Sequence, residues 1–318
     1  MCVYVGAVGF KGEVFLNGLL RRGVPVTRVF TYPQENDQSN GFEGITTLCR
    51  SRSIPIVEER RPTAADIRDA NLVFLVGWQY LLPLADPRLV VFHDSLLPRY
   101  RGFLPTVTSL IAGDDLIGVT AFQPAEGLDT GPILAQAEFR IHMPVRIDEV
   151  LKRQAELMVE LAVKLLETKT AGSLVAQPQD EKRASYSLWR DAEDYFIDWT
   201  WPAEKIQRFV YAVGYPYEGA HTILEDQVAI INDCAIIPDD LPFPIRQPGK
   251  VWCLTQGSPI VVCGSGLLRI LEMHTLNGTE VRVTKLRTRF RNLTEPVAYK
   301  ASSADNAFRQ RLDVSRTK

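Results

Sequence analysis

Two side chains capable of proton transfer, His93 and Asp129, are set apart in this sequence by the motifs around them. His93 opens the string His-Asp-Ser-Leu-Leu-Pro-Arg-Tyr-Arg-Gly, which ends at Gly102, and Asp129 is the centre of Gly-Leu-Asp-Thr-Gly. An imidazole titrates near neutral pH, and a carboxylate beside it holds one tautomer and stabilises the cation. The pair is therefore suited to moving protons while an acyl group is transferred to an amine.

The pattern before His93 predicts a strand that ends at the histidine. Leu89 to His93 is an apolar run, and the loop that follows it contains Pro98 and Gly102. Open α/β sheets bind their ligands at the carboxyl ends of the strands. We expect His93 at this edge of the sheet, with Asp129 arriving from the end of the next strand to orient the imidazole.

The remainder of the His93 string is expected to shape the loop and to attract an anion. Ser95 can hydrogen-bond within the turn, and Arg99 and Arg101 place positive charge beside the histidine. Taken alone, a histidine at a strand end is more often structural, and Asp129 alone is equally compatible with an ordinary loop carboxylate. Their combination favours a catalytic site.

Short β-branched runs alternate with amphipathic stretches through the first half of the chain. This alternation is typical of βαβ units and predicts a mostly parallel, Rossmann-like α/β sheet. A dinucleotide site is not supported, because the first turn has Gly6, Gly9 and Gly12 but no G-x-G-x-x-G. Helices are expected at Leu104–Ala112 and from Ile147 to Leu166, where apolar residues recur at the helical period. The expected extended segments are Cys2–Val8, Val26–Tyr32, Ile54–Val57, Leu72–Val76, Leu89–His93, Val119–Gln123 and Pro132–Ile141.

The second half of the chain has a different character, which begins after a shift in composition near Gln177–Asp180. A helix is expected to start at Pro202, and the short strands after it favour a small OB-like β-barrel. We therefore divide the chain into a catalytic domain at 1–200, an OB-like domain at 201–300 and a tail at 301–318. The expected strands of the barrel are Ala220–Leu224, Val228–Ile231, Lys250–Cys253, Ile260–Cys263 and Leu267–Met273.

Composition places the chain among ordinary globular proteins. It has 318 residues, 46% of them hydrophobic, and a formal net charge of −2, which gives no overall attraction to nucleic acid. No basic leader or long apolar stretch is present, and the five cysteines form no C-x-x-C pair, so we expect a cytoplasmic protein without a membrane partner or a metal site. We treat the sequon at Asn292–Thr294 as chance.

The His93 string and the Asp-x-Gly at Asp129–Gly131 resemble the motifs of the folate-dependent formyltransferases. The similarity extends over nearly the whole chain, because the stretch from Tyr211 through Pro216 and Gly219 is similar to the start of the C-terminal domain in that family. The resemblance implies transfer of a formyl group from 10-formyltetrahydrofolate to a primary amine. This family includes methionyl-tRNA formyltransferases and sugar-nucleotide N-formyltransferases.

The resemblance also implies roles for particular residues. It assigns His93 to polarising the formyl oxygen, and Asp129 to orienting His93 and assisting proton transfer. The pterin is expected against the loop after the fourth strand and the loop before Asp129, with Arg101 nearby. The implied cofactor-binding residues are Gly77, Trp78, Gln79, Tyr80, Leu81, Leu82, Arg101, Ala125, Glu126, Gly127 and Leu128.

One position departs from the family pattern. The catalytic asparagine of the family lies two residues before the histidine, and this position is Val91 here. Valine has no donor for an oxyanion. Gln79, at the neighbouring strand end, is the candidate to replace the missing amide.

The acceptor is expected to be the primary amine of a nucleotide-linked amino sugar. The loop Pro33–Asn40 has no lysine or arginine for RNA phosphates, which disfavours tRNA. Lys285, Arg287, Arg289 and Arg291 would share one face of a strand, either as a solvated edge or as a contact for RNA or a diphosphate. A glycinamide ribonucleotide acceptor is disfavoured by the extra C-terminal domain.

Several alternatives stay open at this point. The acceptor can instead be methionyl-tRNA or an amine bound to a carrier protein. The chain can also be a folate- or nucleotide-binding protein that lost catalysis with the asparagine. A homodimer is possible.

Overall fold

The computed structural model describes residues 2–34, 38–80, 86–225, 227–238 and 241–293. Its first half alternates strands and helices as the sequence pattern predicts. The elements in chain order are β1 (Val3–Ala7), α1 (Gly9–Arg21), β2 (Val26–Thr31), α2 (Gly41–Ser51), β3 (Ile56–Glu58), β4 (Leu72–Val76), β5 (Leu89–His93), β6 (Arg101–Gly102), α3 (Pro105–Ala112), β7 (Leu116–Phe122), β8 (Ile133–Arg140) and α4 (Ile147–Ala171).

Except for the short β6, the described strands of this half form a sheet in the order β3-β2-β1-β4-β5-β7-β8. The neighbours from β3 to β5 are parallel, and the residues of the inner strands β1 and β4 are buried on both faces, as helix-covered parallel strands require. Strand β7 runs antiparallel to β5, with His93 opposite Thr120. The expected mostly parallel, Rossmann-like sheet is therefore confirmed, with an antiparallel pair added at one side.

Helix α4 covers one face of this sheet together with α1. The predicted apolar stripe of α4 from Ile147 to Leu166 is buried, and Met158 and Ala162 join the same cluster as Phe15 and Leu16 of α1. Burial of side chains of this size contributes roughly 1.5–3 kcal/mol each. The two helices thereby fix the sheet whose strand ends carry the site.

The second half is built mainly from antiparallel strands. The elements in chain order are β9 (Tyr186–Ser187), α5 (Ala203–Ala212), β10 (Ala220–Leu224), β11 (Gln227–Ile237), β12 (Val251–Thr255), β13 (Ser258–Val262), β14 (Leu267–Thr275) and β15 (Phe290–Arg291). Strand β9 pairs with β6, and the other strands follow the order β12-β13-β14-β11-β10-β15, with a bridge between Lys250 and Arg289 that joins the two edges of this sheet. Joined edges are typical of a small barrel, so the expected OB-like architecture is confirmed.

One hydrophobic cluster connects the two halves. It contains Val107 and Leu110 of α3, Ile206 and Phe209 of α5, and the fully buried Trp199. The Trp199 indole donates a hydrogen bond to Thr222 Oγ1 at 3.0 Å, which satisfies its polar atom inside the core. The boundaries proposed at 200 and 300 stay a prediction, because this cluster draws residues from both sides of 200.

The basic strand expected from Lys285 to Arg291 is not formed, so that expectation is wrong. The chain turns here, with the Thr288 amide donating to the Lys285 carbonyl at 3.2 Å, and only Phe290–Arg291 pairs as a strand. The four cations therefore do not share one strand face. Helix α2 has no counterpart among the sequence-based expectations, and the predicted tail lies outside the described residues.

The side chain of Asn292, the first residue of the sequon, takes part in the packing of the barrel. Its Oδ1 accepts from the Trp199 amide at 3.0 Å, and its Nδ2 donates to Asp198 at 2.9 Å. Within the described residues, no helix is long and apolar enough to cross a membrane.

Gly131 is expected to be the least replaceable residue of the loop that carries Asp129. A Cβ there would lie 1.7 Å from the Gln123 carbonyl oxygen, so Gly131→Ala must displace backbone. We expect a loss of about 3 kcal/mol in the free energy of unfolding. Chemical denaturation measures it. Gly172→Ala is the matched control, because no atom lies within 4 Å of its Cβ position; equal stability of the two variants would contradict the prediction.

Candidate active site

His93 is held in one tautomer by the backbone. As the last residue of β5, it places Nε2 at 2.8 Å from the Tyr100 carbonyl oxygen. A carbonyl only accepts hydrogen bonds, so Nε2 must carry the proton. Nδ1 is therefore the ring nitrogen that gains or loses a proton, and it faces Asp129.

Asp129 reaches the histidine from a hairpin loop. Its Oδ2 lies 3.6 Å from His93 Nδ1 and accepts a hydrogen bond from the Gly102 amide at 2.8 Å. The residue lies after β7, in the loop that closes the antiparallel β7–β8 pair. It therefore follows the end of the next sheet strand, but this strand runs antiparallel to β5. Its backbone adopts a left-handed conformation with φ of 51°, which aspartate tolerates better than most residues.

Arg101 supports the Asp129 loop and does not face the cleft, which corrects its expected role in cofactor binding. Its fully buried guanidinium donates to Gln179 Oε1 at 2.8 and 3.0 Å and pairs with Glu181 at 2.7 Å. The Gln179 amide in turn donates to the carbonyls of Asp129 and Gly131 at 2.7 and 2.8 Å. Arg101 is thus connected to Asp129 through one glutamine.

Arg99 also points away from the histidine. Its guanidinium pairs with Asp114 at 2.9 Å and is half exposed. The positive charge that the sequence placed beside His93 is therefore neutralised by carboxylates outside the cleft. Ser95, in contrast, closes the turn as expected, with its hydroxyl donating to the Arg99 carbonyl at 2.5 Å.

The loop after His93 is fixed by two buried polar side chains. Thr120, opposite His93 on β7, donates to the Ser95 carbonyl at 2.6 Å and accepts from the Leu97 amide at 3.0 Å. Gln154 of α4 donates to the Asp94 carbonyl at 3.0 Å. Buried hydrogen bonds of this kind limit the movement of the loop that sets the histidine tautomer.

His93 and Asp129 lie in a cleft of about 350 Å³, a volume that suits a small ligand. Glu126 is exposed and does not line this cleft, and Leu81 and Leu82 lie outside the described residues. The other predicted cofactor-binding residues that line the cleft are Gly77, Trp78, Gln79, Tyr80, Ala125, Gly127 and Leu128.

One side of the cleft is aromatic. The Tyr32 ring packs edge-on against Trp78 at 5.1 Å and Tyr80 at 5.2 Å, and the Arg60 guanidinium lies 5.8 Å from both tyrosine rings. The Trp78 indole nitrogen is buried and has no hydrogen-bond partner among the described residues. Gly77 allows the Val8 carbonyl to pack against it, because a Cβ at position 77 would lie 2.4 Å from the Val8 carbonyl oxygen. Aromatic faces with an unused donor fit a flat, polar heterocycle.

Val91 and Gln79 both line the cleft. Val91 is the central residue of β5 and pairs with Leu75 and Phe122. The backbone N–H of Gln79 donates to the Tyr32 hydroxyl at 3.1 Å. Among the described residues, no hydrogen bond holds the Gln79 side-chain amide, so it is available to a ligand.

Lys11 is a cleft residue that the sequence analysis did not identify. It lies in the first turn of α1 and contacts the Asp94 carboxylate directly beside His93. Burial lowers the pKa of the Lys11 ammonium to about 7, whereas the Asp94 charge acts in the opposite direction. An amine that titrates near neutrality therefore lies next to the histidine.

The opposite side of the cleft comes from the second half of the chain. Burial lowers the pKa of Arg190 and raises the pKa of the Glu218 carboxyl. The residues on this side are Trp189, Arg190, Tyr195, Pro216, Tyr217 and Glu218. The sequence analysis missed them because no local motif marks a residue that reaches the site by folding of a distant segment.

Two family models match the chain. One, described as "Formyl transferase", matches residues 56–166, and the other, described as "Formyl transferase, C-terminal domain", matches residues 190–291. The methionyl-tRNA formyltransferase of Pseudomonas syringae pv. tomato is 29% identical over 298 residues, which are 89% of this chain and 93% of that protein. The methionyl-tRNA formyltransferase of Frankia alni is 31% identical over 70% of each chain.

A solved structure has the same fold at low identity. The N-formyltransferase from Helicobacter canadensis, in complex with folinic acid and dTDP-3-aminofucose, superposes with a TM-score of 0.59 and 14% identity. The match covers 85% of this chain and 98% of that one. At this identity the comparison supports the fold alone.

Lys11 is expected to make stability depend on pH. Its folded-state pKa of about 7 lies below its ordinary value of 10.5, so between these values the unfolded chain binds more protons and stability rises with pH. Relative to Lys11→Met, the wild type should gain up to about 2 kcal/mol between pH 7 and pH 9. Urea denaturation at the two pH values measures this difference. If the stability of the wild type relative to Lys11→Met instead falls between pH 7 and pH 9, Asp94 keeps Lys11 charged and the prediction is wrong.

Proposed function

The chain belongs to the formyl transferase family, and on that premise we propose that it transfers a formyl group from 10-formyltetrahydrofolate to a primary amine bound in the cleft. The observation that carries the proposal is the His93–Asp129 pair, in which Nε2 meets the Tyr100 carbonyl and Nδ1 faces the Asp129 carboxylate. The aromatic side of the cleft would receive the donor, and the side with Arg190 and Glu218 the acceptor.

His93 and Asp129 act on protons in this proposal. Attack by an amine releases a proton that Nδ1 can accept, because Nε2 keeps its own proton on the Tyr100 carbonyl. The resulting imidazolium would be stabilised by the Asp129 carboxylate at 3.6 Å, and Nδ1 can return the proton to the leaving nitrogen. The Gly102 amide keeps Oδ2 in place throughout.

The residues present fit a pterin on the aromatic side. Trp78 and Tyr80 would hold the rings, and the Trp78 indole N–H, unpaired among the described residues, would find an acceptor. The backbone of Gly77 and Ala125, which line the same cleft, would hydrogen-bond the pterin edge. When bound, the folate supplies the formyl carbon. Gln79 is the proposed donor to the developing oxyanion, since Val91 offers none.

Replacing the proton-transfer pair is expected to remove turnover and spare binding. His93→Asn and Asp129→Asn should each lower kcat by about a hundredfold or more, because each removes a proton acceptor or its stabilising charge. Formyl transfer to the best acceptor, with the folate Kd measured in parallel, checks this. Near-wild-type turnover in either variant would refute the assigned roles.

For the acceptor we propose a nucleotide-linked amino sugar. The cleft volume and its aromatic residues suit a small molecule, and Arg190 is the cation on the acceptor side. The loop Pro33–Asn40 carries Glu35 and Asp37 and no lysine or arginine, so it adds no phosphate contacts for RNA.

Methionyl-tRNA is the second candidate, and specific observations favour it. The relatives that match along most of the chain are methionyl-tRNA formyltransferases, so sequence comparison supports this acceptor more directly than a sugar. Residues 241–293 carry eight lysines and arginines against two acidic residues, a local excess that suits polyanionic RNA.

One assay separates the candidates. The wild-type protein is incubated with 10-formyltetrahydrofolate and either initiator methionyl-tRNA or a panel of nucleoside-diphosphate amino sugars, and formylated product is quantified by mass spectrometry. We expect product with a sugar nucleotide and RNA affinity that disappears at moderate salt. Efficient formylation of the tRNA would show that methionyl-tRNA, and not a sugar nucleotide, is the acceptor. Absence of product with both classes and with carrier-bound amines would leave a folate-binding protein.

A further inference from the structure

Arg190 lines the acceptor side of the cleft with a guanidinium that is only partly hydrogen-bonded. Its Nη1 donates to the Asp194 carbonyl at 2.9 Å, and among the described residues its buried Nε has no partner. Within the described part of the chain, no hydrogen bond is made by Nη2 either. The guanidinium therefore keeps unused donors, and a guanidinium is a strong hydrogen-bond partner for phosphate oxygens.

The position of Arg190 is fixed by its surroundings. The guanidinium carbon lies 5.9 Å from the centre of the Phe209 ring of α5, and Nη1 is held by the Asp194 carbonyl. Burial lowers the pKa of Arg190, because a charged group loses solvation there. An anion in the cleft would restore the lost interactions of the cation.

Glu218 is the complementary group on the same side. It precedes β10, lines the cleft and is half-buried, and burial raises the pKa of its carboxyl. Its backbone carbonyl accepts from His221 Nε2 at 3.3 Å, but among the described residues no cation or hydrogen-bond donor meets its carboxylate. A half-buried carboxylate without a partner is costly unless a ligand supplies the positive charge.

We propose that Arg190 and Glu218 are the two charged contacts that select the acceptor: Arg190 binds a phosphate group of the acceptor, and Glu218 binds its primary amine in the ammonium form. The inference rests on the proposed function, because it names the charge pattern of the acceptor that this site takes. The acceptor is then a molecule with phosphate and amine held apart by a spacer. Before attack the amine passes its proton to the carboxylate or to solvent, and no other bond changes at this contact.

Binding of inorganic pyrophosphate tests Arg190 independently of turnover. Calorimetric titration of the wild-type protein should give binding in the millimolar range or tighter, and Arg190→Gln should weaken it by about tenfold or more, since it removes a charged hydrogen-bond donor. Arg140→Gln is the matched control, because Arg140 is exposed and pairs with Asp115. No binding by the wild type, or equal binding by Arg190→Gln and the control, would overturn the phosphate assignment.

Steady-state kinetics test Glu218. Glu218→Gln keeps the shape of the side chain and removes its charge, so KM for the best acceptor should rise about tenfold or more while KM for 10-formyltetrahydrofolate stays within about twofold. Glu218→Asp should recover part of the loss, and Glu272→Gln, at an exposed carboxylate of β14, should behave as wild type. An unchanged acceptor KM in Glu218→Gln would overturn the ammonium contact. Failure of the proposed function gives a different result. The wild type would then formylate no acceptor, whereas the pyrophosphate titration would still test the role of Arg190.

Discussion

The buried guanidinium of Arg101 is the interaction on which the site geometry depends. It contacts Gln179 and Glu181, and Gln179 holds the backbone of the loop that presents Asp129. A cation with no exposed surface requires partners that satisfy its donors, and removing one partner of such a group leaves an uncompensated charge. The position of the Asp129 carboxylate is therefore set by packing on the far side of its loop, and the distance of 3.6 Å to His93 follows from that support.

The histidine is constrained from the other direction. Its ring is fixed by the Tyr100 carbonyl, and the loop that supplies this carbonyl is held by Thr120, Gln136 and Gln154, which come from two strands and one helix. The pair thus meets between two independently supported loops. Such support matches what general acid–base chemistry needs, because small displacements of a proton-transfer group reduce its effect.

Much of this arrangement is predictable from sequence where the signals are local. The apolar run of β5 and the Pro/Gly-containing loop after it place His93 at a strand end, and the apolar period of α4 locates the helix that covers the sheet. The direction of Arg101 is not predictable in this way, because its partners Gln179 and Glu181 are distant in sequence. The same reason applies to Lys11, which meets Asp94 only after α1 packs on the sheet, and to Glu218, which no motif distinguishes from a surface carboxylate. For the four cations from Lys285 to Arg291, a local pattern was misleading. Their alternation predicted a strand, but the chain turns between Lys285 and Thr288.

The two sides of the cleft are encoded in different parts of the chain, and this separation has an evolutionary consequence. Trp78 and Tyr80 follow β4, whereas Arg190 and Glu218 belong to segments more than a hundred residues later. If the aromatic side receives the donor and the later segments the acceptor, as proposed, substitutions in the later segments can diversify the molecules that are modified, while the handling of the one-carbon unit stays under separate selection. A lineage built on this scaffold can change its acceptors without rebuilding its chemistry. Overall sequence similarity would then follow the shared chemistry more closely than the acceptor.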